Sequence, residues 1–306
     1  MRTLVLCNSD WLALPAIKQL IQQNMLAGVA VPAKSAGVLV PALRQMGIAE
    51  QLIFKMQKQG FEKDLRSALE YTKPELGIVL TFPWKIPSSL FKLPAKGFIN
   101  FHFGVLPKYK GTDPVFWQLK NGETNGGISA HIINEHIDEG PLLFVQPIPI
   151  IPGETYGLHC LRLGTIVPQL LGKAFAAIAH FNGKVSVIND GKFYKAPTLN
   201  DLSIDWQTQS AAVIEQLVNA ANPRYGGAVT TIRQARIQIL EVAIADLASA
   251  PTAIPGTIVY ADALYGIVVA CINNQHLQVK IVCFSEGYYS GTKMFNMGFK
   301  PGELFH

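Results

Sequence analysis

The chain is poor in charge and poor in cysteine. Only 15% of its 306 residues are Asp, Glu, Lys or Arg, against 49% hydrophobic, which excludes an extended disordered chain and leaves ample material for a core. The 26 basic and 21 acidic residues leave a mild +5, without the dense basic stripe of a protein that lives by neutralising phosphates. Cys7, Cys160, Cys271 and Cys283 stand far apart, with no C-x-x-C pair and no histidine at ligand spacing. Neither a metal site nor a disulfide framework is expected, and reduced thiols suit a cytoplasmic protein. No run approaches the roughly 18 apolar residues of a membrane helix. The apolar start Leu4-Val5-Leu6-Cys7 is stopped at once by Asn8-Ser9-Asp10, too short for a signal peptide. That turn also holds no G-x-G-x-x-G, so a nicotinamide-dependent oxidoreductase is disfavoured.

What the chain does have is alternation. Residues 3–7, 27–31, 76–81 and 97–101 are short apolar runs that read as buried strands, with a weaker one at 52–54. Amphipathic stretches at 11–23, 38–46 and 62–71 read as helices between them. This order predicts an α/β fold: a Rossmann-like, doubly wound parallel sheet with helices on both faces. Residues 128–133 and 142–146 read as two further strands, paired around the Asp138-Glu139-Gly140 turn. A long helical pattern at 158–181 contains Gly164 and Pro168, and the proline is expected to kink or split it. Turn signals at Asn182-Gly183 and Asn189-Asp190-Gly191 close a first domain over 1–196. Residues 197–205 read as a linker, and 206–306 as a smaller β-barrel-like (OB-like) domain: one helix at 208–221, then five short strands with glycine turns.

The segment with chemistry in it runs from Phe98 to Gly111. An apolar strand delivers Asn100 and His102 two residues apart, so both side chains leave one face. A loop with Gly104, Pro107 and Gly111 follows, at the carboxyl end of a strand, where ligands of parallel α/β sheets bind. An amide and an imidazole there offer a hydrogen-bond donor and a proton carrier to one reacting carbonyl. A single histidine at a strand end is commonly just solvated. Asp138, in His136-Ile137-Asp138-Glu139-Gly140-Pro141, alone reads as a turn aspartate bonding its own backbone. Spacing does not assemble the three.

Taken in order, however, Asn100-x-His102, Leu106-Pro107-x-Tyr109-x-Gly111, Gly122-Glu123, and Gly127-Ile128-Ser129 leading to Ile137-Asp138-x-Gly140-Pro141 resemble the folate-dependent formyltransferases. That family includes methionyl-tRNA, glycinamide ribonucleotide and sugar N-formyltransferases. The likeness continues through Leu163-Gly164-x-x-x-Pro168. Ile204-Asp205-Trp206 and Ala221-Asn222-Pro223 are similar to the carboxy-terminal region of the methionyl-tRNA enzyme.

The resemblance implies a transferase that moves the formyl group of 10-formyltetrahydrofolate to an amine, with Asn100, His102 and Asp138 as catalytic residues and no metal. It implies a folate pterin against Phe82, Trp84, Ile86 and Leu106 and the backbone from Ile137 to Gly140, and acceptor contacts from Lys108, Tyr109, Lys110 and Gly111. Against the methionyl-tRNA enzyme, this chain lacks glycine in the first turn. It also has only Val31-Pro32-Ala33-Lys34-Ser35-Ala36-Gly37, with one lysine, where that enzyme carries a long basic insertion. Pro114-Val115-Phe116-Trp117 is more aromatic as well. These departures put a tRNA acceptor in doubt and point to a small or ring-bearing amine, with aminoacyl-tRNA as the alternative acceptor. A formyl-folate hydrolase and a non-catalytic RNA-binding relative are the alternatives.

Overall fold

The apolar runs pair side by side. The structure, a computed structural model, describes residues 1–181, 191–247 and 252–306. Strands β1 (Thr3–Cys7), β2 (Leu26–Pro32), β3 (Ile53–Met56), β4 (Leu76–Leu80) and β5 (Phe98–His102) form parallel ladders in the order β3-β2-β1-β4-β5. Every residue of β1 and β4 is buried, which is why these strands read as continuous apolar runs rather than alternating ones. After the short β6 (Tyr109–Gly111), the sheet gains β7 (Asn125–Ile132), antiparallel to β5, and β8 (Leu142–Pro149), antiparallel to β7. The two strands expected around Asp138 are therefore present and extend a mixed sheet. A separate two-stranded ladder joins β6 to β9 (Lys192–Tyr194) in parallel.

Between the strands run α1 (Asp10–Gln22), α2 (Ala36–Gln45), α3 (Phe61–Thr72), the single turn α4 (Ser88–Phe91), α5 (Pro114–Lys120) and α6 (Tyr156–Ala179). One face of the sheet is sealed by Leu4, Leu6, Ala30, Met56, Leu65, Leu69 and Phe98, all buried in one cluster with Phe61 and Ile86. Each of the larger of these side chains contributes about 1.5–3 kcal/mol by leaving water.

Helix α6 bears on two expectations. Pro168 does not split it: it runs as one 24-residue helix. Leu163, Val167, Leu171 and Ala174, all fully buried, anchor it on both sides of the proline, and tertiary burial outweighs the lost hydrogen bond. Gly164, four residues earlier, packs so close to α1 that a Cβ there would stand 1.9 Å from the Trp11 carbonyl oxygen. By length and apolarity α6 also meets the criterion for crossing a membrane, contrary to the sequence reading, although its buried side marks it as a core helix.

The chain packs as two units. One comprises Met1–Pro114, Asn125–Pro149 and Cys160–Tyr194, the other Val115–Thr124, Ile150–His159 and Lys195–His306. In the second, the expected linker contains α7 (Leu199–Leu202), fixed by a capping box between Thr198 and Asp201. The helix expected at 208–221 is α8 (Ala211–Ala221), with the Ser210 side chain accepting from the Val213 N–H. The antiparallel sheet has six strands rather than five: β10 (Ala228–Ile232), β11 (Ala235–Ala245), β12 (Ile258–Asp262), β13 (Gly266–Ala270), β14 (His276–Phe284) and β15 (Gly287–Ser290). The path is β10-β11-β14-β13-β12, with β15 on the side of β14. A last helix, α9 (Gly291–Asn296), follows β15 directly, capped by the Ser290 side chain. The turn signals at 182–190 lie outside the described residues.

Candidate active site

The pairing of β5 with β7 brings polar residues into register inside an apolar sheet. Asn100 stands opposite His131, and His102 opposite Ser129. Because strand side chains alternate, all four share one face, while Ile99 and Phe101 face the other way against Ala130 and Ile132. His102, Ser129 and His131 are buried, and Asn100 is partly exposed. Burying three polar side chains in a sheet is costly unless each finds a partner, and each does.

Ser129 donates its hydroxyl to the Gly104 carbonyl at 2.6 Å and accepts the Leu106 N–H at 3.0 Å, which fastens the loop after β5. That loop carries β6, where the Tyr109 carbonyl accepts from His102 Nε2 at 2.5 Å. The Tyr109 ring is stacked on Tyr194 at 5.2 Å, and Gly111 pairs with Tyr194 through the ladder to β9. His131 Nδ1 reaches the Ile132 carbonyl at 3.1 Å, and its Nε2 lies 3.1 Å from the Asn100 amide nitrogen.

Asp138 enters from the turn between β7 and β8, at a φ of 56°, in the left-handed region that aspartate tolerates better than most residues. Its Oδ1 lies 3.5 Å from His102 Nδ1, 3.4 Å from His131 Nε2 and 3.3 Å from Asn100 Nδ2. Its Oδ2 accepts the Gly111 N–H at 2.8 Å. The turn depends on Gly140, since a Cβ there would stand 1.7 Å from the Ile132 carbonyl oxygen.

The charges follow from these contacts. Burial alone would raise the Asp138 carboxyl, but His102, His131 and the Gly111 N–H pull it down to about 2, so it is an anion at neutral pH. Burial pushes His102 below the ordinary imidazole value, with a smaller push from His131; the Asp138 carboxylate and the Tyr109 carbonyl work against it. Both ring nitrogens of His102 face oxygen acceptors. The two-proton ring has a hydrogen-bond acceptor at Nε2 and an anion 3.5 Å from Nδ1, burial favours the one-proton ring, and the imidazole can exchange between them without moving a heavy atom. The group is thus a proton carrier with a fixed anion beside it and an amide at its exposed rim.

The three residues singled out at a distance in the sequence, Asn100, His102 and Asp138, come together. His131 and Ser129 were missed. The signal for them was present: Ser129-x-His131 repeats the two-residue spacing of Asn100-x-His102 on the strand that pairs with it. Phe82 and Trp84, expected along the pterin, form a cluster with Phe61 at ring distances of 5.2–5.5 Å and are partly buried. Ile86 and Leu106 are buried, whereas Ile137, beside Asp138, is 50% exposed. Of the residues expected to meet an acceptor, Lys108 is exposed. Tyr109, Lys110 and Gly111 instead belong to the frame around His102 and Asp138, with Lys110 buried and its Nζ 2.8 Å from Glu139 Oε1. Among the described residues no cluster of His, Cys, Asp and Glu is arranged to hold a metal ion.

Comparison with known proteins bears on the whole chain. Residues 1–166 match the family model Formyl transferase, and residues 198–300 match Formyl transferase, C-terminal domain. Among curated relatives, the methionyl-tRNA formyltransferase of Trichlorobacter lovleyi is 25% identical over 267 residues, covering 85% of this chain and 82% of that protein. That of Clostridium beijerinckii is 28% identical over 283 residues, 90% of each. Among solved structures, the N-formyltransferase of Helicobacter canadensis, in complex with folinic acid and dTDP-3-aminofucose, superposes with a TM-score of 0.65 at 16% identity, covering 94% of this chain and all (100%) of that one. HypX of Aquifex aeolicus, in complex with tetrahydrofolic acid, gives 0.68 at 14% identity over 96% of this chain. The chain spans about half (47%) of the length of HypX.

Proposed function

This chain belongs to the formyl transferase family, and from that premise we propose that it moves a formyl group from 10-formyltetrahydrofolate to a primary amine at the Asn100–His102–Asp138 group. The observation that carries the assignment is the approach of the Asn100 amide and the His102 imidazole to within 3.5 Å of one Asp138 carboxylate oxygen. They fit the donor: a partly exposed amide beside a buried imidazole and carboxylate is a set for hydrogen bonding and proton movement. The donor supplies a formyl carbonyl attached to nitrogen, open to attack by an amine. Asn100, the partly exposed member, turns its amide N–H from His131 and Asp138 towards the carbonyl oxygen, where negative charge develops. His102, whose Nε2 hydrogen is held by the Tyr109 carbonyl, accepts the proton released by the amine at Nδ1, beside Asp138, becoming the two-proton ring that both oxygens stabilise. It then returns that proton to the departing folate nitrogen. Phe82, Trp84 and the half-exposed Ile137 are the apolar surfaces we assign to the pterin, with the Ile137–Gly140 backbone at its polar edge.

For the acceptor we favour a small, ring-bearing amine such as an aminosugar nucleotide. The support is the short connection after β2: a single turn at Ala33–Ser35 leads straight into α2 with one lysine, too little positive charge to hold a tRNA backbone. A cytoplasmic location suits both substrates. The test is incubation with 10-formyltetrahydrofolate and, in turn, Met-tRNA, aminosugar nucleotides and amino acids, with the formylated product identified by mass spectrometry. Asn100→Ala and His102→Ala are each expected to lower transfer by on the order of 10²–10³ while folate binding persists. Undiminished turnover in both variants would refute the site. Free formate as sole product would make the protein a hydrolase, and formyl-Met-tRNA as sole product would overturn the choice of acceptor.

A further inference from the structure

Lys110 is an unusual place to find a lysine. Its side chain is 5% exposed, and its ammonium lies 2.8 Å from Glu139, whose side chain is 36% exposed. A charge buried to that degree is tolerated only when paired. The two partners flank the catalytic turn in step. On β6 the Tyr109 carbonyl holds His102, the Lys110 ammonium holds Glu139 and the Gly111 N–H holds Asp138. On the facing turn Asp138 and Glu139 are adjacent, and the Glu139 carbonyl lies 3.4 Å from Asn134 Nδ2. Three successive residues of one short strand thus grip the two sides of the His102–Asp138 pair, and β6 is itself fixed by its ladder to β9. The Asp138–His102 contact, at 3.5 Å, has no direct hydrogen bond of normal length to hold it.

We propose that Lys110 and Glu139 are positioning residues: their ion pair clasps the Asp138 turn to β6 and sets the distance between Asp138 and His102. The inference rests on the site assignment above but is tested apart from it. Among the described residues, the charged and titratable groups that act on His102 are Asp138 and His131; those that act on Glu139 are Lys110, His136 and Asp138.

The sign of one effect separates positioning from plain electrostatics. Removing the Lys110 charge removes a nearby cation and leaves Glu139 unneutralised, so by charge alone Lys110→Met should raise the pH at which His102 protonates. If Lys110 holds the turn, its loss lets Asp138 drift from His102, and protonation moves to lower pH. The full chain labelled with ¹⁵N-histidine, with the His102 signal assigned by its loss in His102→Gln, reads this directly. We expect a shift to lower pH in Lys110→Met. In Glu139→Asp, which keeps both charges and shortens one arm, a smaller shift of the same sign should appear, and this variant carries the reading should Lys110→Met fail to fold. The exchanged pair Lys110→Glu with Glu139→Lys should restore the wild-type titration. In the transfer assay kcat should fall on the order of tenfold in Lys110→Met, with KM for 10-formyltetrahydrofolate little changed. A His102 titration that rises or stays put in both single variants, with only thermal stability reduced, overturns the proposal. Wild-type protein that formylates nothing, with the titration moving as described, would sink the functional reading and leave the clasp standing.

Discussion

His159 with Glu154 and His102 with Asp138 are both buried pairs of histidine and carboxylate, and they are built in opposite ways. Glu154 and His159 are five residues apart and meet at 2.9 Å; the same Glu154 oxygen also accepts the Ile151 N–H at 3.1 Å. That pair ties a turn to the first turn of α6. Asp138 reaches His102 from a different strand connection, at 3.5 Å, and its two oxygens also face His131, Asn100 and the Gly111 N–H. The short contact is a formed charge-assisted hydrogen bond. The long one is an electrostatic contact with room to tighten when a substrate arrives. A local pair stiffens a turn; a pair assembled from several elements, slack in one contact and anchored in the others, is suited to handle a proton.

The comparison is most exposed to failure in two isosteric variants. Asp138→Asn should lower formyl transfer by on the order of 10²–10⁴, because the ring loses the anion that stabilises its two-proton form. Glu154→Gln should leave initial rates within about twofold and cost about 1–3 kcal/mol of stability in a urea titration, since it weakens a buried hydrogen bond. Equal losses of rate in the two variants would mean that both pairs serve one purpose, and the contrast would fall.

A backbone change should be next in size. Gly140→Ala places a Cβ against the Ile132 carbonyl and 3.3 Å from His131 Nδ1. The turn must shift and carry Asp138 with it. Overpacking of this kind costs roughly 1–3 kcal/mol, and the transfer rate should fall further than stability does. Rates and denaturation midpoints measured on the same preparations separate the two. A stable variant with full activity would show that the position of Asp138 matters less than its presence.

The assembly of this pair was only partly legible in the sequence. The parallel strands could be read because burial on both faces removes alternation, and Thr3–Cys7 and Leu76–Leu80 admit no other reading. Asn100 and His102 were visible as polar interruptions of such a strand. Asp138 was not assignable from spacing, because its approach depends on a left-handed residue and on a glycine that clears the Ile132 carbonyl, both tertiary facts; the resemblance to a family supplied it. His131 was overlooked because a lone histidine in an apolar strand looks like core until the register with Asn100 is known. Lys110 was assigned to the acceptor without its partner, because Glu139 is distant in sequence and only folding shows the charge to be enclosed. The split expected at Pro168 is absent because the fully buried residues on either side of it hold the helix together.

The smallest effect is a shift in pH dependence, and it tests the electrical half of the comparison. His102 must be in its one-proton form to accept the amine proton, so transfer should fail on the acid side as His102 takes its second proton. Burial holds that event below the ordinary imidazole value, while Asp138 works in the other direction. Asp138 itself, held at about 2, stays ionised throughout the range, so it cannot be the group that titrates there. The residual activity of Asp138→Asn should therefore lose its acid limb at a lower pH than wild type, because the carboxylate that favours the second proton is gone. The same variant should lack the contribution to stability that wild-type Asp138 makes above its unfolded pKa and loses as the pH falls through about 2. In Glu154→Gln the acid limb should not move, since the charge of His102 is set by its burial, Asp138, the Tyr109 carbonyl and His131. Rate profiles of kcat/KM for the three proteins between the ordinary aspartate and histidine ranges decide the matter. A limb that rises in Asp138→Asn would mean that the contact at 3.5 Å does not favour the protonated ring, and the proton would have to be carried by another group.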